Sequence, residues 1–175
     1  IPIVLSPKIS ILNNKLNCVK YASDVNESSM LKLEKGIEIL GESTIGMAHT
    51  RWATHGAKTD VNSHPHFSFD NRFAIVHNGI IENFSELKTK LIADGVVFKS
   101  ETDTEIIVNL IAINYKKCLL IEELSDMRTL TENAIKLTLH QLEGTWALVI
   151  MNVDTPDILY CTRRGSPLLV SINDN

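Results

Sequence analysis

Hydrophobic positions at the start of this chain of 175 residues change from strand-like to helix-like spacing. Residues 8–12 and 16–21 are short β-prone runs on either side of residues 13–15, a pattern typical of a hairpin. Over residues 29–40, apolar side chains recur at helical spacing, which predicts a helix that ends at Gly41. The chain is therefore expected to open with a hairpin followed by an amphipathic helix.

The middle of the chain predicts two strands separated by a polar loop. Residues 45–51 have the pattern of a strand with a polar end, and residues 57–70, rich in Pro, Asn, Ser and His, are typical of a functional loop. The apolar run at residues 73–77 predicts a buried strand, and Asn78 with Gly79 is expected to end it.

The second half of the chain predicts helices first and strands afterwards. The helices are expected over residues 85–94, 102–115 and 130–142. The strands are expected over residues 145–152, 158–162 and 167–172, with the first two paired as antiparallel neighbours. Strands at both ends of the chain with helices between them indicate antiparallel sheet packed against helices in layers.

The composition is that of a folded globular domain. Hydrophobic residues make up 44% of the sequence and charged residues 22%, so we expect residues 1–175 to form one domain with its own core. A net charge of -4 and scattered Lys and Arg residues give no reason to expect nucleic acid as a partner. No apolar run reaches the ~18 residues of a membrane span, and no secretory signal precedes the domain, so we expect a cytoplasmic protein.

Three cysteines, Cys18, Cys118 and Cys161, lie far apart in the sequence and form no CxxC pair. Their odd number and wide spacing argue against a disulfide framework and against a structural zinc site. Each lies in an apolar or strand-like context, so we expect all three to be small buried side chains.

Two charged residues could together bind an α-amino acid. Arg51, next to Trp52, offers a planar guanidinium that pairs with a carboxylate, although an Arg-Trp pair more often packs on the surface. Asp103 is expected in the first turn of a helix, where an acid usually caps the helix but could instead hold a ligand ammonium group.

Asn78 and Gly79 allow two interpretations. After a buried strand they could present a side-chain N–H and a backbone N–H to one oxyanion. The same dipeptide is more often only a turn.

The histidines raise a metal hypothesis. His64 and His66, together with His55 or His77, could coordinate zinc, since alternate residues of a strand share a face. Pro65 interrupts a regular strand at this point. We therefore expect the imidazoles to form hydrogen bonds that organise the loop.

Five blocks of sequence, taken together, resemble a known family. They are HTRWATHG at residues 49–56, NSHPH at 62–66, VHNGIIEN at 76–83, SETDTE at 100–105 and RRGSPL at 163–168. Their order and spacing are similar to the glutaminase domain of the glutamine–fructose-6-phosphate aminotransferases (isomerizing), also called glucosamine-6-phosphate synthases. These enzymes are class II amidotransferases of the N-terminal-nucleophile (Ntn) hydrolase type, and the resemblance covers about residues 9–172.

The resemblance implies a role for each matching residue. Asn78 and Gly79 would form the oxyanion hole, and His64 would support the architecture of the site. Arg51 would bind the carboxylate of glutamine, and Asp103 would bind its α-amino group. The complete substrate-binding set that it implies is Arg51, Trp52, Thr54, His55 and Asp103.

The same resemblance implies an α+β fold, a four-layer αββα sandwich of two antiparallel sheets between helical layers. It implies hydrolysis of L-glutamine to glutamate and ammonia, with no cofactor and no metal. The ammonia would pass to a separate sugar-phosphate isomerase domain that makes glucosamine 6-phosphate from fructose 6-phosphate, and the full protein could form a homodimer through that domain.

One departure from the family leaves more than one function open. Family members begin with a nucleophilic cysteine, which neither Ile1 nor any cysteine of this chain matches. We therefore expect the N-terminal strand to be missing, so that these residues alone would be inactive and prone to aggregate. The alternatives are a glutaminase with its first residues outside this sequence, a non-catalytic glutamine-binding or regulatory relative, and the glutaminase domain of another class II amidotransferase.

Overall fold

The computed structural model describes residues 4–12, 15–36, 45–51, 57–121 and 125–171 of the chain. The described residues form strands and helices in the order β1 (Val4–Leu12), β2 (Lys15–Cys18), α1 (Ser29–Gly36), β3 (Gly46–Arg51), β4 (His66–Phe67), β5 (Phe73–Ile81), α2 (Phe84–Ala93), α3 (Asp103–Ile121), α4 (Met127–Leu139), β6 (Gly144–Asn152) and β7 (Leu159–Arg164).

The strands form two antiparallel sheets. The smaller sheet has the order β2-β1-β3 and the larger sheet has the order β4-β5-β6-β7. The predicted hairpin is confirmed, because β1 pairs with β2 in a register that places Leu12 opposite Lys15. The predicted pairing of the two strands that follow α4 is also confirmed, since β6 pairs with β7 from Trp146 opposite Arg164 to Met151 opposite Leu159. The chain therefore has an α+β fold with four helices among its described residues.

Strand β5 is longer than the sequence predicts. Asn78 and Gly79 do not end it, because they pair with Ala147 and Trp146 of β6. Gly79 has a φ of 146°, and a Cβ added there would lie 2.1 Å from the carbonyl oxygen of Thr145. The interpretation of this dipeptide as a turn is therefore wrong, and glycine is needed because β6 lies too close for a side chain.

Helix α3 carries much of the core. Its residues Ile107 and Ile111 are at most 1% exposed and belong to one cluster with Phe73 of β5 and Leu148 of β6. Burying a side chain of this size stabilises a fold by about 1.5–3 kcal/mol. The strongly apolar sequence of this helix is therefore explained by its packing against both α4 and the larger sheet.

Two other predictions are wrong. No strand forms over residues 167–171, because Gly165, with a φ of 77°, turns the chain away from the sheet and leaves Leu169 95% exposed. Cys161 is exposed, because β7 is an edge strand of which one face meets solvent, whereas Cys118 is buried and Cys18 is half-buried.

The predicted helix end at Gly41 lies outside the described residues. None of the described helices is long and apolar enough to cross a membrane.

Candidate active site

The end of β5 lies against the start of α3. Asp103 is the first residue of α3, as predicted, and is only 6% exposed. The backbone N–H of Ile81, the last residue of β5, donates a hydrogen bond to Oδ2 of Asp103 at 3.0 Å. The buried carboxylate of Asp103 is thus held against Ile81, which lies two residues beyond Gly79 on the strand that also carries Asn78.

His49 connects the two sheets at Asn78. This histidine lies on β3 of the smaller sheet, and its Nε2 is 2.8 Å from Oδ1 of Asn78 on β5. Its ring stacks on the ring of His64, with centroids 4.3 Å apart and an interplanar angle of 17°. The exposed side chain of Asn78 therefore contacts the half-buried His49, which in turn stacks on the buried His64.

The hydrogen bonds of His64 fix the position of its proton. The backbone N–H of His77 donates to Nδ1 of His64 at 3.2 Å, so Nδ1 carries no proton. The proton of the neutral ring therefore lies on Nε2, which is 3.4 Å from Oγ1 of Thr104. Because both ring nitrogens of His64 contact protein groups, the ring is held in a single orientation.

Thr104 links two histidines to Asp103. Its Oγ1 is 3.1 Å from Nδ1 of His77 and 3.4 Å from Oδ1 of Asp103. Nδ1 of His77 is also 3.9 Å from Oδ1 of Asp103. Burial lowers the pKa of His77 below its usual range, and the neighbouring Asp103 carboxylate offsets only part of that effect. His77 is therefore neutral near pH 7, and its contact with Asp103 is not an ion pair.

His66 belongs to a second polar cluster at the start of α3. Its Nε2 is 3.1 Å from Oγ1 of Thr102. Glu105, 5% exposed, accepts hydrogen bonds from the backbone N–H of Lys99 at 2.8 Å and from both the N–H and the hydroxyl of Ser100 at 2.6 Å. The carboxylate of Glu105 thus fixes the turn that leads into α3.

The contacts of His64 and His66 favour the hydrogen-bonding role over the metal hypothesis. In the described part of the chain, no three His, Cys, Asp or Glu side chains are placed to hold a metal ion. His55, which the metal hypothesis also names, lies outside the described residues.

Lys20 anchors the loop that carries these two histidines. Its Nζ donates to the carbonyl oxygens of Val61 at 3.2 Å, Ser63 at 3.0 Å and Pro65 at 3.3 Å. Burial lowers the pKa of Lys20, while nearby carboxylates offset part of the effect. The ammonium group follows β2, so it ties the histidine loop to the smaller sheet.

Several of these residues have no assigned role in the sequence prediction. They are Lys20, His49, Thr104 and Glu105, whereas His77 enters that prediction as a possible zinc ligand or hydrogen-bonding imidazole. All but Lys20 lie in the blocks that carry the family resemblance. Thr102 and Glu105 also have the sequence spacing of a capping box, and in the structure Oγ1 of Thr102 accepts a hydrogen bond from the N–H of Glu105 at 3.4 Å. Lys20 gives no such signal, because a lone lysine after a strand is usually solvated.

The predicted carboxylate-binding residues are only partly placed. The backbone of Arg51 ends β3 and pairs with Val4. Trp52, Thr54 and His55 lie outside the described residues. Of the predicted set, Asn78 and Gly79 lie on β5 and Asp103 begins α3. His64 contacts the backbone of His77 on β5 and the side chain of Thr104 on α3.

Comparison with known proteins finds similar sequences among enzymes named for glutamine. Glutamine–fructose-6-phosphate aminotransferase [isomerizing] from Bacteroides thetaiotaomicron is 41% identical over 163 residues, which cover 93% of this chain and 24% of that protein. The enzyme of the same name from Methanococcus maripaludis is 47% identical over 132 residues, which cover 73% of this chain and 20% of that protein. This chain therefore spans about a quarter of the length of these relatives.

The fold has a counterpart among solved structures, and a family model matches the sequence. Glutamine phosphoribosylpyrophosphate amidotransferase from B. subtilis superposes with a TM-score of 0.61 at 24% identity, over 86% of this chain and 30% of that one. The model of the glutamine amidotransferase domain matches residues 34–130, which is more than half of the chain. The chain therefore belongs to the family of glutamine amidotransferase domains.

Proposed function

We propose that residues 1–175 are the glutaminase domain of an enzyme that hydrolyses L-glutamine to glutamate and ammonia. In this proposal the ammonia serves to make glucosamine 6-phosphate from fructose 6-phosphate, as the names of the relatives suggest. The observation that carries the proposal is the position of the buried Asp103 carboxylate, which contacts Ile81 at the end of β5. Asn78 and Gly79 lie on the same strand, a few residues before Ile81.

In the proposed substrate complex, Asp103 accepts the α-ammonium group of glutamine. Each carboxylate oxygen can accept two hydrogen bonds, so the contact with Ile81 leaves capacity for a ligand. Low exposure strengthens such a contact because little water screens it. Arg51 would bind the α-carboxylate, assisted by the remaining substrate-binding residues, which are Trp52, Thr54 and His55.

In the proposed reaction, Asn78 and Gly79 stabilise charge that develops on the carbonyl oxygen of the glutamine side chain. The Nδ2 group of Asn78 and the backbone N–H of Gly79 would donate to this oxygen in the tetrahedral intermediate. Donors of this kind act mainly in the transition state, and each typically contributes about 10²–10³-fold to kcat.

The nucleophile of the proposed reaction comes from outside this sequence. Burial raises the pKa of Cys18 to about 11, and the partial burial of the otherwise exposed Cys161 also raises its pKa, so both thiols are protonated at neutral pH and are weak nucleophiles. Cys118 lies in the hydrophobic core. We assign the attack to an N-terminal cysteine of the full-length protein, whose thiolate would form a thioester and release ammonia before water regenerates it.

The proposal extends to the rest of the protein. The two sheets and the helices would form the four-layer αββα arrangement of N-terminal-nucleophile hydrolases. A sugar-phosphate isomerase domain would receive the ammonia and could mediate a homodimer. No cofactor takes part in the proposed glutamine step. We place the protein in the cytoplasm, where charged sugar phosphates are retained because they cross membranes poorly.

The test uses the full-length protein and a coupled assay for ammonia release from glutamine. Asp103→Asn should raise the KM for glutamine about ten- to a hundredfold, because it removes a charge-assisted contact of ~1.5–3 kcal/mol. Asp94→Asn is the matched control, since Asp94 is exposed at the end of α2 and should leave KM unchanged. An unchanged KM in Asp103→Asn would contradict the assignment of Asp103.

A non-catalytic glutamine-binding function remains the second candidate, because the Cys18 and Cys161 thiols are not activated. The same assay, together with calorimetry of glutamine binding, separates the two candidates. A full-length protein that binds glutamine but releases no ammonia would support the non-catalytic candidate and refute the enzyme.

A further inference from the structure

We infer that His49 is a positioning residue that orients the side-chain amide of Asn78 for catalysis. This inference rests on the proposed glutaminase function, and it adds a residue for which the sequence resemblance implies no role. It stands on the contact of 2.8 Å between Nε2 of His49 and Oδ1 of Asn78, which joins the two sheets.

The direction of this hydrogen bond decides which end of the amide faces a ligand. An amide oxygen only accepts, so Nε2 of His49 must be the donor to Oδ1 of Asn78. Oδ1 and Nδ2 of an asparagine are both bonded to Cγ and lie on opposite sides of the Cβ–Cγ bond. Because Oδ1 faces His49, Nδ2 is turned away from it. The side chain of Asn78 is exposed, so a substrate carbonyl can reach Nδ2.

The ring of His49 can orient Asn78 because it is itself held in place. It stacks on His64, which is 4% exposed and bound through both ring nitrogens. His64 in turn contacts Thr104, whose hydroxyl lies beside Asp103. One continuous set of contacts therefore connects the proposed oxyanion donor with the proposed ammonium-binding carboxylate.

The expected effect follows from the freedom that Asn78 gains without this donor. A released amide samples roughly three χ1 wells and two amide flips, so the productive fraction falls to about one sixth. Complete loss of an oxyanion donor costs ~10²-fold or more in kcat. Removing the His49 donor should therefore lower kcat by about five- to a hundredfold. The KM for glutamine should change less than about threefold, because the Asn78 amide that His49 orients acts on charge that is absent in the ground state.

The test compares variants of the full-length protein in the ammonia assay. His49→Phe keeps a flat ring to stack on His64 and removes the N–H donor. His140→Phe is the matched control, since His140 is exposed at the end of α4, and its kcat should equal that of the parent protein. The decisive measurement repeats His49→Phe in an Asn78→Ala background, where it should have no further effect on kcat.

Each outcome bears on the inference. A His49→Phe protein with unchanged kcat would overturn the inference. It would also be overturned if His49→Phe lowered kcat equally in the parent protein and in the Asn78→Ala background, since His49 would then act by another route. If His49→Phe does not fold, nitrogen NMR of the histidine rings in the parent protein gives the answer. A His49 ring with a proton on Nε2 supports the inference, and a ring without it refutes it.

The test also distinguishes this inference from the proposed function. If the parent protein releases no ammonia, the glutaminase proposal fails. The NMR measurement still reports whether Nε2 of His49 carries the proton that it needs to donate to Asn78. If the parent protein is active and His49→Phe is equally active, only the positioning role fails.

Discussion

Substitution of Gly79 by alanine tests the close approach of β6 to β5. The added Cβ would lie 2.1 Å from the carbonyl oxygen and 2.7 Å from the carbonyl carbon of Thr145, and both atoms belong to backbone. A side chain at a φ of 146° costs about 1–3 kcal/mol, and forcing two paired strands apart costs about another 1–3 kcal/mol. The expected loss of about 2–6 kcal/mol is a large part of the ~5–15 kcal/mol that stabilises a typical domain.

Amide exchange followed by mass spectrometry in the full-length protein measures this loss where it occurs. Peptides from β5 and β6 of Gly79→Ala should exchange about thirtyfold faster or more, since ~1.4 kcal/mol corresponds to a factor of ten. Gly95→Ala is the matched control, because Gly95 has a φ of 87° but no atom within 4 Å of an added Cβ. Its cost of ~1–2 kcal/mol should stay at the end of α2. Equal exchange of β5 and β6 in the two variants would show that β6 yields to a side chain.

Two further predictions concern the polar turn and the thiols. Glu105→Gln should speed amide exchange around Ser100 by an amount equivalent to about 1.5–3 kcal/mol, because the buried side chain loses its charge-assisted hydrogen bonds. Glu86→Gln, at an exposed position, is the control and should not change the exchange around Ser100. Alkylation at pH 8 with peptide mapping should label the exposed Cys161 ahead of Cys18, whose pKa is about 11. The rate of labelling of Cys18 should rise about tenfold per pH unit up to pH 10. Equal labelling of the two cysteines at pH 8 would contradict the burial of Cys18.

The helices were predictable because their signal is local. Apolar spacing predicts α3 from residue 102 and the structure begins it at Asp103, since the packed face of a helix repeats within a few residues. Strand ends were less predictable. Asn78 with Gly79 has the sequence of a turn, and only the position of Thr145 on the next strand shows why the glycine lies inside β5. The edge position of Cys161 likewise depends on sheet order, which no local pattern contains.

The residue types of the candidate site were predictable, but their partners were not. The sequence blocks contain Asp103 and Asn78, yet the contacts that fix them come from Ile81 and His49, which lie 22 and 29 residues away. Such partners depend on how the two sheets meet and on where α3 packs against β5, and a single sequence carries little information about that geometry.

The three carbonyl contacts of Lys20 have a consequence for the order in which the chain is assembled during synthesis. Their partners follow Lys20 by 41 to 45 residues, and Thr104 follows His64 by a further 40. At ~5–20 residues per second, a ribosome makes Thr104 roughly 2–8 s after His64. The ammonium of Lys20 is already present throughout that interval and can hold the new loop by its backbone. The contacts of Lys20 with this loop can therefore form before α3 is made, whereas the contacts of His64 with His77 and Thr104 must wait for the later residues.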